Sequence, residues 1–283
     1  MNCSVKSAYA KINLALDVLK KREDGYHELA GVMHAVDLCD TVCVKKSSLG
    51  ITVKCSVPLP EQNTAAKAAM LYFEAIGQAP EVTIDIEKRI PSEAGLGGAS
   101  ADAAAVLYAL CELYTPLSQE ALYEIGRRVG ADVPFCLHGG CAKVGGIGEK
   151  LDRMPSQELN ILLIKNSGGI STKQLFGLYD ELVKGENPVD TKLEKLMSAC
   201  ISGGRDTLCK NMYNELEKAA FTLRPELKQT KEELLQAGAL SSLMTGSGSC
   251  IYGIFDSLEA ALNAESIMKK HGYSFVKAVK TIP

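Results

Sequence analysis

The stretch Ile90-Pro91-Ser92-Glu93-Ala94-Gly95-Leu96-Gly97-Gly98-Ala99-Ser100 carries residue types suited to holding a phosphate. Pro91 ends a strand. Gly95, Gly97 and Gly98 take side chains out of a turn, and Ala101–Tyr114 continues as a run of good helix formers. Such a turn aims unpaired backbone N–H groups and the positive end of a helix dipole at one point. No lysine follows the glycines, so this is not a Walker A loop. Ser100 stands where the dinucleotide fingerprint needs its last glycine, so that motif is absent too. An ordinary tight turn between strand and helix satisfies the same local pattern, and the loop alone weighs evenly between the two readings.

Four other sets bear on chemistry. Lys11 and Asn13 lie two apart in a strand and share one of its faces; taken alone, a solvated polar face is the better reading of the pair. In Gly130-Ala131-Asp132-Val133-Pro134 a carboxylate sits where the chain turns, in a position that suits a helix cap as well as a reacting group. Thr245-Gly246-Ser247-Gly248 is a second close-approach loop, or a plain linker turn. Asp24-Gly25-Tyr26-His27 offers a turn, a stacking ring and a hydrogen-bonding ring, and an ordinary hairpin explains it equally well. Together they supply a phosphate cradle, a cation and a carboxylate, the parts that phosphoryl transfer needs.

Composition narrows the class. The chain has 283 residues, 46% hydrophobic and 23% charged, enough for one large or two medium domains with a real core. A net charge of −3 without a basic face argues against a nucleic-acid partner. No apolar run is long enough to span a bilayer, so no membrane partner is expected. Met1-Asn2-Cys3-Ser4-Val5-Lys6 lacks the apolar core of a signal peptide, and a cytoplasmic location is expected. The ten cysteines are scattered without a C-x-x-C pair, which favours reduced packed thiols over a metal or disulfide framework.

Apolar patterning predicts strands near Val5–Ala10, Asn13–Leu19, His34–Val44, Ile51–Ser56 and Val82–Glu87, then a helix over Asn63–Ile76. Helices follow at Ala101–Tyr114 and Ser118–Val129, separated by Thr115-Pro116. A further strand is expected at Cys141–Val144, and a second region begins near Met154-Pro155, with a buried-type strand at Leu159–Ile164. It continues with helices at Lys173–Val183, Asp190–Cys200, Asn211–Thr222, Pro225–Ala237 and Leu258–His271, and strands at Cys250–Phe255 and Ser274–Thr281. Strands grouped with helices in each half give the class α+β.

With these motifs the chain resembles the GHMP kinases. Ile90-Pro91-x-x-x-Gly95-Leu96-Gly97-Gly98-x-Ser100 is similar to their phosphate loop, and Thr245-Gly246-Ser247-Gly248 to their C-terminal glycine motif. Ala10-Lys11-Ile12-Asn13-Leu14, Arg22-x-Asp24-Gly25-Tyr26-His27 and Gly130-Ala131-Asp132-Val133-Pro134-Phe135 resemble the branch that phosphorylates a cytidine-diphosphate sugar alcohol. The resemblance implies an α+β two-domain GHMP kinase fold. A ribosomal-protein-S5-like N-terminal domain would cover residues 1–154, and a ferredoxin-like α/β-sandwich C-terminal domain residues 155–283.

It also implies roles. ATP would be co-substrate with Mg2+, bound by Pro91, Gly95, Leu96, Gly97, Gly98, Ala99, Ser100 and Ala101, with Asn63 on the adenosine side and Ser100 helping to hold the metal. Asp132 would accept or orient the proton of the substrate hydroxyl, and Lys11 would keep it ionised and stabilise the transferring phosphoryl group. Asn13 would position the sugar alcohol. Tyr26 and His27 would grip the cytosine, with Phe176 stacking from the other side. The partners implied are small molecules, with no nucleic acid and no membrane, on a monomer or weak homodimer. Two positions depart from the family pattern: Ala99 stands for a glycine and Ala101 for a hydroxyl residue. Ala99 requires a negative φ there. A homoserine- or mevalonate-type kinase and a non-catalytic nucleotide sensor remain as alternatives.

Overall fold

The computed structural model describes residues 2–48, 50–58, 63–183 and 191–283. Its contacts divide the chain into two compact units, the first formed by Met1–Ala10, Leu38–Ile90 and Gly97–Gly139, the second by Lys11–Asp37, Pro91–Leu96 and Gly140–Pro283. Two long strands, β1 (Cys3–Lys21) and β2 (His27–Lys46), give part of their length to each unit. The strands predicted at Val5–Ala10 and Asn13–Leu19 are thus one element, because Lys11 and Ile12 continue it as buried residues.

In the first unit β3 (Ile51–Cys55) pairs parallel with β4 (Val82–Glu87), which pairs antiparallel with the Thr41–Lys46 end of β2. Between β3 and β4 runs α1 (Thr64–Ile76), started by Asn63, whose Oδ1 accepts the Ala66 N–H at 2.8 Å. Helix α2 (Gly98–Leu113) packs along α1, and the alanines at 101 and 103–105 keep that face small. Tyr72 closes this core by donating its hydroxyl to the carbonyls of Leu110 at 3.1 Å and Thr115 at 2.6 Å. Helices α3 (Gln119–Val129) and α4 (Val133–His138) follow, separated by the Gly130–Asp132 turn.

In the second unit the Leu29–His34 part of β2 pairs antiparallel with β5 (Cys141–Gly146), which pairs with β6 (Lys150–Met154). A separate sheet holds β7 (Asn160–Lys165), which lies between two strands introduced below. Helices α5 (Thr172–Leu182), α6 (Thr191–Ser202) and α7 (Arg205–Asn211) lead to a two-residue strand β8 (Tyr213–Asn214), parallel to β1 at Ala15 and Leu16. Helices α8 (Glu217–Leu223) and α9 (Glu226–Gln236) precede β9 (Ser241–Met244), β10 (Cys250–Phe255), α10 (Leu258–Met268) and β11 (Phe275–Lys280). The antiparallel order is β11-β7-β10-β9. Leu162, Ile164, Leu175, Leu216, Leu234, Ile251 and Phe255 join one buried cluster with α10.

The class is α+β, as the patterning predicts. The helix predicted over Asn211–Thr222 is instead divided into the end of α7, β8 and α8. Asn214 explains the break: its amide donates to the carbonyls of Met244 at 2.9 Å and Gly246 at 2.8 Å, and its Oδ1 accepts the Leu216 N–H at 3.0 Å. Long-range bonds outweigh local helix propensity at that point. Strands β6 and β9 are additional to the predicted set. None of the ten cysteines forms a disulfide, and four of them are buried. Among the described residues no helix is long and apolar enough to cross a membrane.

His34 is completely buried on β2; its Nε2 accepts the Gln157 N–H at 3.1 Å and its Nδ1 meets the Ala35 carbonyl at 3.0 Å. Burial pushes its pKa down to about 4, against the opposing pull of the Ala35 carbonyl. The unfolded chain therefore binds a proton between about pH 6.5 and 4 that the folded chain refuses. Stability from this site is whole above pH 6.5 and falls toward pH 4, by at most about 1.4 kcal/mol per pH unit. In denaturant melts at pH 7, 6, 5 and 4.5, the wild type should lose stability more steeply than His34→Asn.

Candidate active site

In the second unit, Lys11 and Asn13 are 3% and 1% exposed, so the solvated face that the local sequence favours is corrected. The strand is buried from Lys11 to Val18, and an ammonium there needs oxygen partners. Lys11 Nζ donates to Asn13 Oδ1 at 2.8 Å. Its backbone N–H donates to Leu96 O at 3.0 Å, which ties the strand to the glycine loop. Thr245 joins the three segments: Oγ1 accepts the Asn13 N–H at 3.1 Å and donates to Gly95 O at 3.2 Å. Tyr252 adds a hydroxyl bond to Asn13 O at 2.8 Å.

Two glycines make this closeness possible. A Cβ on Gly95, whose φ is +70°, would stand 2.0 Å from the Thr245 carbonyl oxygen. A Cβ on Gly246, with φ +55°, would stand 3.2 Å from Lys11 Nζ. A side chain at Gly95 is excluded by strain and by contact, and one at Gly246 by its backbone strain with a tight approach to Gly95 O and Lys11 Nζ. Glu93, Gly95 and Gly97 all have positive φ, the alternation that turns successive N–H groups toward one side.

In the first unit the loop runs into α2. Ala99 lies in the first turn of α2; Glu93 is the non-glycine residue with positive φ among those described, so Ala99 meets the negative-φ requirement. Its carbonyl accepts the Thr64 hydroxyl at 2.6 Å, which joins the starts of α1 and α2. Ser100 is half-buried, whereas the methyl of Ala101 is 2% exposed and turned into the core. Asp132 occupies the N-cap position of α4 without a side-chain capping hydrogen bond. The backbone holds it: Val133 N donates to Gly130 O and Cys136 N to Asp132 O, both at 3.1 Å. A Cβ on Gly130 would lie 4.0 Å from Ser100 Oγ, so the Asp132 turn and the start of α2 are neighbours. Among the described residues no three His, Cys, Asp or Glu side chains gather to hold a metal. Mg2+ on a nucleotide takes most ligands from phosphate and water. The partly exposed Ser100 hydroxyl fits as a single protein oxygen for it.

The aromatic set lies in the second unit. Asp24 Oδ1 accepts the Tyr26 N–H at 3.1 Å and shapes the turn between β1 and β2. Tyr26 is 61% exposed. His27 is buried and stacks on Phe176, with ring centroids 4.9 Å apart and planes 21° from parallel. Asp180, one turn along α5 from Phe176, binds His27 Nε2 at 2.6 Å and Lys21 Nζ at 2.7 Å. Lys21 and His27 hold the Asp180 carboxyl below its ordinary value against the upward push of desolvation. Thr245 as the hub of the Lys11 cluster and Asp180 as the partner of His27 are the residues that sequence reasoning missed. The bonds join segments far apart in the chain: the glycine motif marks the segment of Thr245 but not its bonds to Asn13 and Gly95, and no local pattern marks Asp180.

Residues 63–140 match the GHMP kinases N terminal domain and residues 196–274 the GHMP kinases C terminal domain. A 4-diphosphocytidyl-2-C-methyl-D-erythritol kinase of Clostridium tetani is 43% identical over 280 residues, 97% of this chain and 99% of the relative. The chain belongs to the GHMP kinases. As a GHMP kinase it uses ATP as co-substrate. A relative of the same name from Thermoanaerobacter pseudethanolicus is 42% identical over 279 residues, 97% of this chain and 95% of the relative. The crystal structure of a 4-(cytidine 5'-diphospho)-2C-methyl-D-erythritol kinase superposes with a TM-score of 0.84 at 33% identity, covering 99% of this chain and 100% of that one. A homoserine kinase from Cytophaga hutchinsonii shares the fold, with a TM-score of 0.75 at 20% identity over 100% of this chain and 95% of the other.

Thr245→Val keeps the shape of the hub and removes its hydroxyl, leaving the Asn13 N–H and Gly95 carbonyl unpaired. It should cost about 2 kcal/mol in urea unfolding, and Thr245→Ser should recover most of that.

Proposed function

We propose that this GHMP kinase transfers the γ-phosphoryl group of ATP to the 2-hydroxyl of 4-diphosphocytidyl-2-C-methyl-D-erythritol, a step of non-mevalonate isoprenoid precursor biosynthesis. The observation that carries this reading is the likeness along 97% of the chain, at 43% identity, to a relative named for that substrate. The homoserine kinase and a mevalonate kinase share the fold at 20% and 13% identity.

In this reading the backbone N–H groups of Gly95–Ser100 and the start of α2 receive the phosphates. Mg2+, with Ser100 as a protein ligand, would offset the negative charge of the phosphate oxygens. Asp132, carried on the turn that opens α4, orients the acceptor hydroxyl and takes its proton as the O–P bond forms. Lys11 answers the charge that spreads over the transferring phosphoryl oxygens. Being buried and bonded to Asn13, it needs little reorganisation to do so. Asn13 aligns the methylerythritol part. Tyr26 and His27 receive the cytosine once Phe176, which stacks on His27 in place of the expected position across the base, gives up that face; homoserine and mevalonate have no group to fill it.

The test is release of ADP by the purified protein with Mg2+-ATP and one of three acceptors: the cytidyl substrate, homoserine or mevalonate. Release with the cytidyl substrate alone is expected. Asp132→Asn should bind ATP as the wild type does and lose roughly 10²–10⁴-fold in kcat. Release with another acceptor would discard the cytosine pocket, and wild-type turnover in Asp132→Asn would discard the mechanism.

A further inference from the structure

Beneath the start of α2 lies a buried ion cluster with no role in the reading above. Lys88, the residue after β4, has a side chain 8% exposed. Its ammonium donates to Oδ2 of Asp40 on β2, and to Oδ2 of Asp102 on α2 at 2.6 Å. Asp40, completely buried, uses its other oxygen to accept the backbone N–H groups of Arg89 and Ile90, the latter at 2.8 Å. The other oxygen of Asp102, Oδ1, is buried and has no hydrogen-bond partner among the described residues. Two carboxylates therefore share one ammonium. Burial, with Asp40 adding to it, pushes the Asp102 carboxyl up to about 7 against the pull of Lys88.

The cluster touches the glycine loop directly. A Cβ on Gly98, the first residue of α2, would stand 3.3 Å from Lys88 Nζ and 3.0 Å from Ile90 Cγ2. The ammonium is thus packed against the turn whose N–H groups are assigned to phosphate. Buried ions give little net stability beside apolar packing. What charge-assisted hydrogen bonds do supply is fixed geometry, here between β2, the end of β4 and the first turns of α2.

We propose that Asp102 is a positioning residue for ATP: through Lys88 and Asp40 it holds the first turn of α2 at the height where the Gly98–Ser100 amides meet the phosphates. This rests on the phosphate-loop assignment made under Proposed function. Asp102 touches neither nucleotide nor acceptor; it acts through Lys88. Cutting the tether at Asp102 leaves Lys88 and Asp40 as a matched pair, so the fold survives. Asparagine keeps an oxygen facing Lys88 and with it the tether.

The test varies ATP and the cytidyl acceptor separately, and titrates the protein with the Mg2+ complex of the non-hydrolysable analogue AMP-PNP. Asp102→Ala should raise the ATP KM and the analogue Kd by about tenfold, with the acceptor KM within about twofold of wild type. Asp102→Asn should restore the ATP KM to within about threefold. A wild-type ATP KM in folded Asp102→Ala overturns the proposal, as does equal impairment of the Ala and Asn variants. Should Asp102→Ala melt out, Lys88→Arg keeps the charge and alters the geometry; a wild-type ATP KM in that variant overturns it equally. Ala99→Asp puts a carboxylate on the exposed part of the loop and separates the two readings. Wild-type analogue binding in Ala99→Asp removes the phosphate-loop assignment and this proposal together. Weakened binding there, beside unchanged binding in Asp102→Ala, removes this proposal alone.

Discussion

From Lys11 to Val18 the strand β1 is buried without interruption, and a lysine and an asparagine stand among its first residues. Water cannot solvate that ammonium, so the protein must surround it with oxygen and keep bulk away. Asn13 supplies the oxygen. Thr245 fixes the Asn13 backbone while holding the Gly95 carbonyl, and Gly246 leaves the space beside Lys11 Nζ empty of side chain. Asn214 in turn grips the carbonyls on either side of Thr245, at the cost of a helix that the sequence would otherwise continue. The path of three chain segments, far apart in sequence, thus follows from the burial of one cation.

The first unit solves a related problem by other means. Its buried cation, Lys88, is answered by carboxylates where Lys11 has an amide oxygen. Two carboxylates offset the field of Lys88 inside the fold.

Much of this was legible in the sequence where the signal is local. The glycine loop, the helix after it, the helix that starts beside Asn63 and the Cys250–Phe255 strand are all where residue type and periodicity put them, because each is decided within a few residues. Other features depend on distant partners. The burial of Lys11 requires Thr245 and Gly246 to arrive from the other end of the chain, and without them a lysine in a strand reads as solvated. Strand β9, Ser-Ser-Leu-Met, reads as a linker until β10 pairs with it. Asp180 reads as an exposed helix charge until His27 is found beside it. The family motifs carried the assignment of Lys11 and Asp132 where local physics left two readings open.

His27 and Phe176 already lie face to face, and Asp180 clamps the imidazole from its edge. A pyrimidine cannot enter between two rings in van der Waals contact; room for a third ring needs roughly twice a normal stacking separation. The protein therefore carries a surrogate guest, its own phenylalanine, on the face of the histidine. Any base that takes that face must first evict it, and its observed affinity is the difference between two stacking energies. Phe176 rides on α5 while His27 opens β2, so eviction is a displacement of the helix or a swing of the phenyl ring. In the proposed cytosine site, a nucleotide fragment too small to hold the phenyl aside would be turned away by a contact that a full substrate exchanges for its own.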